Sequence, residues 1–202
     1  MSPRPNVETE RRQQILGTAM VCFARKGYHL TTMDDIAAEL PFSKGLLYYY
    51  FKTKRDLFLA ILEDWMGKVT MAWEMMPSPD DDATTQLRKC LEYGVQLLTL
   101  DTELARVEFE FYSELSHDAA VSEAIQTLFA EFRAQFKAIL DEGIASGEFR
   151  PLNTEVLAAV LFGAYEGLAM QAIVDPDAFD WSVIAESLFE MVMWGIAPLE
   201  KE

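Results

Sequence analysis

Residues 31–54 read Thr-Thr-Met-Asp-Asp-Ile-Ala-Ala-Glu-Leu-Pro-Phe-Ser-Lys-Gly-Leu-Leu-Tyr-Tyr-Tyr-Phe-Lys-Thr-Lys, and this stretch decides the fold. Thr32 with Asp35 three positions on has the form of a capping box, in which a hydroxyl and a carboxylate satisfy the first backbone N–H groups of a helix. Ile36 and Leu40 then point inward, and Pro41-Phe42 ends the helix, since proline has no N–H to donate. Ser43 caps a further helix from Lys44 to about Phe51, and Thr53 with Asp56 caps the next. Two short helices across a tight turn imply a helix-turn-helix whose second helix suits the major groove of DNA.

The groove-facing side of that second helix follows from its wheel. With Leu47 and Phe51 in the core, the opposite side is Gly45, Leu46, Tyr49 and Lys52, flanked by Tyr48 and Tyr50. Lys44 can reach guanine O6 or N7, Gly45 lets the backbone approach closely, and Leu46 offers an apolar contact to a thymine methyl. The tyrosine hydroxyls suit phosphates, which fix register without reading sequence. Lys54, beside the free N–H groups that start helix four, suits one phosphate, as does Thr32 at helix two. Three adjacent tyrosines also occur as plain amphipathic packing, but the outward face of the block carries lysine and no acid.

Working outward, helix one covers about residues 10–26, with Ile15, Ala19, Cys22 and Phe23 on one stripe and Gly27 as its left-handed cap. Helix four runs through Leu57, Ile61 and Trp65 to about residue 76, where a loop over 77–82 begins. Helices at about 84–100, 102–116, 119–146, 154–174 and 178–196 follow, about nine in all, so the fold class is all-α. The expected organisation is a DNA-binding helix-turn-helix domain over 1–56, helix four (54–76) as connector, and a ligand-binding and dimerisation domain over 57–202.

The 202-residue chain has a net charge of −16, which looks wrong for a nucleic-acid binder until it is divided. Residues 1–56 hold nine Lys/Arg and six Asp/Glu, or +3, leaving −19 for the remainder. Phosphate would repel that acidic part, so it belongs away from DNA. Cys22 and Cys90 stand in separate helices, and His29 and His117 are equally scattered, so neither a disulfide framework nor a metal site is expected. His29 reads as a surface or phosphate-side residue. The N-terminus lacks an apolar signal segment, which points to the cytoplasm.

Val156 to Val174 is long and apolar enough to span a bilayer. Glu166 sits in mid-segment, however, and acids rather than bases flank it. The better reading is a helix buried on both faces, with Phe162, Gly163 and Gly167 at a close-packed dimer interface. Leu188 and Met191 extend that interface on the last helix, within an apolar seam of Trp181, Ile184 and Val192. No membrane partner is expected.

The motif Ile15-Leu16…Ala19…Phe23…Gly27-Tyr28, Thr31-Thr32…Ile36-Ala37, Ser43-Lys44-Gly45…Leu47-Tyr48-Tyr49-Tyr50-Phe51…Lys54…Leu57 resembles the TetR family of bacterial transcriptional regulators over about residues 10–65. The resemblance implies a homodimer with an N-terminal helix-turn-helix, usually a repressor released from a palindromic operator by a small ligand. It implies DNA contacts at Thr32, Ser43, Lys44, Gly45, Leu46, Tyr48, Tyr49, Tyr50 and Lys54, and dimerisation through the last two helices. One departure is Pro41-Phe42, where the family's turn usually has glycine and a small aliphatic residue.

In the C-terminal part, Trp65, Trp73, Phe111, Tyr112, Phe132, Phe136 and Tyr165 are the candidate walls of a pocket for a small hydrophobic or amphiphilic ligand. Glu103, Arg106, Glu110 and Glu114 read as the wet face of helix 102–116, whereas Glu108 shares a stripe with Leu104, Phe111 and Leu115. A carboxylate on an apolar stripe must find a partner or lose its charge. Glu108 and Glu166 therefore either meet an arginine (Arg106, Arg133 or Arg150) or face a cavity that binds a cationic or hydroxylated lipophile.

The function expected is sequence-specific DNA binding by a regulator, with no cofactor. An enzyme is not expected: there is no glycine-rich phosphate loop, nucleophile elbow or metal cluster. The rival readings are a helical protein-interaction adaptor and a small-molecule-binding protein without specific DNA binding.

Overall fold

The computed structural model describes residues 7–75, 78, 80–100 and 109–198. Among these residues every regular element is helical: α1 (Val7–Lys26), α2 (Met33–Glu39), α3 (Lys44–Tyr50), α4 (Lys54–Met75), α5 (Ala83–Leu100), α6 (described over residues 109–113), α7 (Ala119–Ser146), α8 (Thr154–Val174) and α9 (Trp181–Ile196). The chain is all-α. Packing gathers Met1–Gly67 with Glu103–Ile125 into an N-terminal unit, and Lys68–Thr102 with Gln126–Glu202 into a C-terminal unit.

The N-terminal unit is built on α1, whose Ile15, Leu16, Ala19, Cys22 and Phe23 are buried at helical spacing. Met33 and Ile36 of α2, Leu47 of α3 and Leu57, Phe58, Ile61 and Leu62 of α4 close over that stripe. Each such side chain stabilises the fold by about 1.5–3 kcal/mol. Gly27 takes φ +80°, a left-handed conformation that ends α1 without the clash a Cβ would cause. Thr31 is wholly buried there, and its hydroxyl donates to the Gly27 carbonyl at 2.8 Å.

Two helix starts follow the capping chemistry read from the sequence. The Asp35 N–H donates to Thr32 Oγ1 at 3.1 Å and the Thr32 N–H to Asp35 Oδ2 at 2.8 Å. Thr53 and Asp56 repeat this box at α4, both bonds 3.0 Å long. Ser43 differs: it is the N-cap of α3, yet its hydroxyl makes no cap hydrogen bond, and α3 is tied instead by the Leu46 N–H to the Ser43 carbonyl at 2.9 Å.

Helix boundaries shift where side chains act locally. α1 is described from Val7, and its Glu8 and Glu10 stand near the N-terminal end, where carboxylates favour the positive helix end. α6 stops at residue 113, earlier than the expected 116. There the Glu114 N–H donates to Phe111 O, and the His117 and Asp118 N–H groups to Glu114 O. Asp118 then caps α7, accepting from the Ala120 N–H at 2.9 Å. α9 starts at Trp181 because a turn over 175–178 comes first, and Trp181 Nε1 folds back to the Pro176 carbonyl at 2.8 Å.

In the C-terminal unit, α5 packs against α8 and α9. Buried Leu98 of α5 clusters with Ala169 and Ala172 of α8, and Cys90, Leu91 and Val95 of α5 share a cavity with Phe162 of α8. Glu148 accepts from the backbone of Ala83 and Thr84 and so caps α5 from the loop after α7. Two residues on, Arg150 Nε donates to the Gly195 carbonyl at 2.7 Å, near the end of α9. α8 is long and apolar enough to cross a membrane, by length and composition.

Candidate nucleic-acid interface and apolar cavity

α3 turns Leu47 into the core and leaves Ser43, Lys44, Gly45 and Tyr49 exposed, with Leu46, Tyr48 and Tyr50 half-buried at the flanks. Tyr49 is 66% exposed and meets Tyr50 edge-on at 5.4 Å. The outward face is thus the one expected from the wheel. The turn before it contains no positive φ, and Leu40 adopts an extended conformation at φ −84° and ψ 143°. Pro41 fits that path.

The charged groups around α3 are held by neighbours. Lys44 Nζ lies 2.6 Å from Asp34 Oδ1, a hydrogen-bonded pair that raises the lysine pKa. Lys52, exposed, donates to the Tyr48 carbonyl at 2.9 Å and so supports the end of α3. The Thr32 hydroxyl donates to Asp35 Oδ2 at 2.6 Å while accepting from the Asp35 N–H, so its one proton is already engaged.

Lys54 differs most from expectation. Its Nζ donates to the carbonyls of Tyr28 at 2.6 Å, Thr31 at 2.9 Å and His29 at 3.2 Å, and lies 4.4 Å from the Tyr28 ring centroid. An ammonium has three N–H donors, and here all three serve the α1–α2 loop. Burial correspondingly pushes the Lys54 pKa down. The side chain organises the loop that carries Thr32; it is not a free phosphate ligand.

The α6 segment also corrects the sequence reading. Glu110 and Glu114 do not form a wet face: Glu114 is buried, and Glu110, half-buried, accepts the Tyr28 N–H at 2.7 Å. His29 Nε2 stands 2.7 Å from Glu114 Oε1, at ion-pair distance without hydrogen-bond alignment. Asp118 takes Arg55 Nε and Nη2 in a fork, which holds its carboxyl below the usual range. Glu110, Glu114 and Asp118 thus contact Tyr28, His29 and Arg55 at the spacing of successive helical turns. That i, i+4, i+8 run of acids was visible in the sequence as a signal, but it has the same pattern as a solvated face. Glu103, Arg106 and Glu108 lie outside the described residues, so the question posed for Glu108 falls there too.

The aromatic candidates divide between the units. Phe132, Phe136 and Tyr165 do line one cavity in the C-terminal unit, with Cys90, Leu91 and Gly94 of α5 opposite. Phe111 and Trp65 belong instead to the N-terminal core, where Phe111 lies 4.6 Å from the Phe58 ring and 6.2 Å from Trp65. Tyr112, half-buried, is edge-on to Phe109 at 5.4 Å. Glu166 is half-buried on α8 and does not border the cavity. Trp73 sits on α4 with its side chain outside the described residues.

The cavity has a volume of about 30 Å³ for solvent-sized atoms, so its own walls nearly fill it. Phe132 stacks on Phe162 at 5.4 Å and 15°, and a Cβ on Gly94 would come within 3.2 Å of the Tyr165 ring. Cys90 needs no charged partner, because burial pushes its thiol up to about 12.

Of the expected interface residues, Phe162 turns inward and is 5% exposed, so it is a cavity residue and not an outer one. Gly163 and Gly167 are exposed with open space above them, and Met191 is 65% exposed. Leu188 is half-buried between the cavity and an open groove of about 540 Å³ along α8 and α9.

Comparison with known proteins agrees with this geometry. The chain is 30% identical over 201 residues to the helix-turn-helix transcriptional regulator YfiR of Bacillus subtilis, covering 93% of each chain. It is 30% identical over 161 residues to the regulator QacR of Staphylococcus aureus, covering 78% of this chain and 83% of QacR. The crystal structure of FadR from Bacillus subtilis in complex with stearoyl-CoA superposes with a TM-score of 0.78 at 25% identity, over 91% of this chain and 98% of FadR. These relatives are transcriptional regulators rather than enzymes. Residues 83–192 match the C-terminal domain of BetI-type transcriptional repressors. With residues 15–61 matching the bacterial regulatory proteins of the tetR family, the chain belongs to the TetR family of DNA-binding transcriptional regulators.

Proposed function

We propose that this regulator is a homodimeric repressor that reads a palindromic operator with α3 and is released when a small apolar or amphiphilic molecule enters the α5–α7–α8 cavity. The observation that carries the reading is the outward face of α3. Gly45 and Tyr49 stand exposed between Lys44 and Lys52, with no acid on that helix. In this reading Lys44 and Leu46 contact base edges, while Ser43, Tyr48, Tyr49, Tyr50 and Lys52 position the helix on phosphates. At Thr32, the free backbone N–H groups that open α2 meet a phosphate beside the loop that Lys54 organises.

Two copies of α3 are supplied by dimerisation through α8 and α9. Val160 is 59%, Met191 65% and Trp194 84% exposed, an apolar surface that a second copy would cover. Gly163 and Gly167 allow its close approach. A two-fold axis then fixes half-sites about 34–36 Å, or a near multiple, apart. FadR holds stearoyl-CoA; in this chain the apolar cavity suits an acyl chain or a flat hydrophobe. Because the cavity is nearly filled, such a ligand must displace Phe132, Phe136 or Tyr165, and that repacking is the signal for release.

The test is an electrophoretic shift on the duplex upstream of the chain's own coding sequence, with acyl-CoA, fatty-acid and amphiphilic-cation titrations. A specific complex is expected that weakens steeply with salt and dissociates with the acyl compounds. Binding no stronger than to unrelated duplex would overturn the DNA reading; specific binding indifferent to all apolar additions would overturn the ligand reading.

A further inference from the structure

We infer that Asp34 is a base-reading residue, acting with Lys44 as a pair that recognises one G·C base pair in each half-site. The inference rests on the role proposed above for α3. α2 carries three carboxylates, and they turn two ways. Asp35 is held by Lys26 at 2.8 Å and by its own cap, and Glu39 pairs with Arg25, so both bind back to α1. Asp34 reaches forward to the recognition helix, with Oδ1 2.6 Å from Lys44 Nζ. Its side chain is 66% exposed and that of Lys44 56%, so a groove edge can meet both.

A bare carboxylate on a DNA-facing surface is otherwise a liability. Phosphates offer it no donor, and if Lys44 left for a phosphate, Asp34 would face the backbone charge uncompensated. Base edges are different. Guanine presents O6 and N7 as acceptors, and cytosine presents the N4 amino group as a donor. Within one G·C pair O6 and N4 are hydrogen-bonded to each other, so acceptor and donor lie side by side on the major-groove edge. An ammonium and a carboxylate already in contact match that edge without separating: Lys44 donates to guanine while Asp34 accepts from cytosine N4. The same pair lowers affinity for DNA that offers only phosphates, which sharpens the difference between operator and other sequence.

The experiment selects sites from a randomised duplex pool with the full-length wild-type protein. Affinities are then measured for the selected site, every single-base-pair change in it and an unrelated duplex, using wild type, Asp34→Ala, Asp34→Asn, Lys44→Ala and the Asp34/Lys44 double variant. Thermal melts accompany each protein. One G·C pair per half-site should matter about tenfold to wild type. Asp34→Ala and Lys44→Ala should each flatten the preference at that same pair, and the double variant should be no flatter than either. Asp34→Ala should bind unrelated duplex more tightly than wild type. Asp34→Asn should move the preference toward adenine, whose N6 and N7 suit an amide. If Asp34→Ala multiplies all affinities by one factor, or if the two single variants alter different base pairs, the pair does not read a base pair and the inference is wrong. A wild type that selects no site would instead remove the DNA-reading role beneath it.

Discussion

Polar groups at fixed positions shape the N-terminal unit around α2 and α3, whereas the C-terminal unit walls its cavity with apolar and aromatic side chains. Around α2 and α3, Thr32–Asp35 and Thr53–Asp56 set the helix starts, Lys54 gathers three carbonyls, and Glu110 and Asp118 hold Tyr28 and Arg55. Around the cavity, Leu91, Val95, Phe132, Phe136 and Phe162 meet by contact alone. Hydrogen bonds fail when their geometry slips by a fraction of an ångström, while apolar side chains exchange rotamers at modest cost. A surface that must present donors at set spacings is therefore built from the first kind of contact. The walls of the cavity are built from the second.

Substitutions can break this contrast, beginning with the largest effect. Phe111→Ala should cost about 3–5 kcal/mol of stability by removing the ring that packs against Phe58 and Trp65, with ligand affinity at the C-terminal cavity unchanged. Chemical denaturation and ligand titration would check both, and a selective loss of ligand binding would return Phe111 to the pocket. Lys54→Met should cost on the order of 1–3 kcal/mol, since it removes three charge-assisted hydrogen bonds from the loop. It should weaken binding to all duplexes alike. If DNA affinity fell with no change in melting temperature, Lys54 would be a phosphate ligand after all.

Gly94→Ala probes the adaptable side of the contrast. The added methyl presses on the Tyr165 ring, so ligand affinity should change while stability moves by no more than about 1.5 kcal/mol. A cooperative collapse of the unit on this change, followed by circular dichroism, would mean the cavity wall is as rigid as the polar contacts around α2 and α3. The smallest effect concerns pH. Arg55 holds the Asp118 carboxyl below its ordinary range in the folded chain, so that pair stabilises fully above about pH 4 and is lost as pH falls through the lowered value. The wild-type melting temperature should drop below about pH 4 more steeply than that of Asp118→Asn. Parallel curves would show that the pair contributes nothing to stability.

Local chemistry was legible in residue order. The capping boxes at Thr32 and Thr53 involve partners three positions apart, and Gly27 marks the end of α1 by the one conformation it alone adopts cheaply. The core of α3 and its outward face follow from Leu47, Phe51 and a 3.6-residue period. Ser43 shows the limit of such reading, because a residue type that usually caps made no cap bond here. Glu110 and Glu114 were misread since a polar stripe has one appearance whether it faces water or a backbone N–H from elsewhere. The aromatic candidates suffered the same ambiguity: burial was evident for Trp65, Phe111, Phe132 and Phe136, but not which core each would join.

Sequence alone determined that the chain is helical, where most helices begin and end, and which side of α3 is left exposed. Each of these depends on residues within one or two helical turns. Tertiary structure alone decided that Tyr28 meets Glu110 across 82 positions, that Lys54 serves a loop, that Asp34 leans toward Lys44, and that Phe162 turns inward. Such pairings depend on how separate helices are docked, and a carboxylate, an ammonium or a ring is chemically suited to several partners until docking brings one of them within reach.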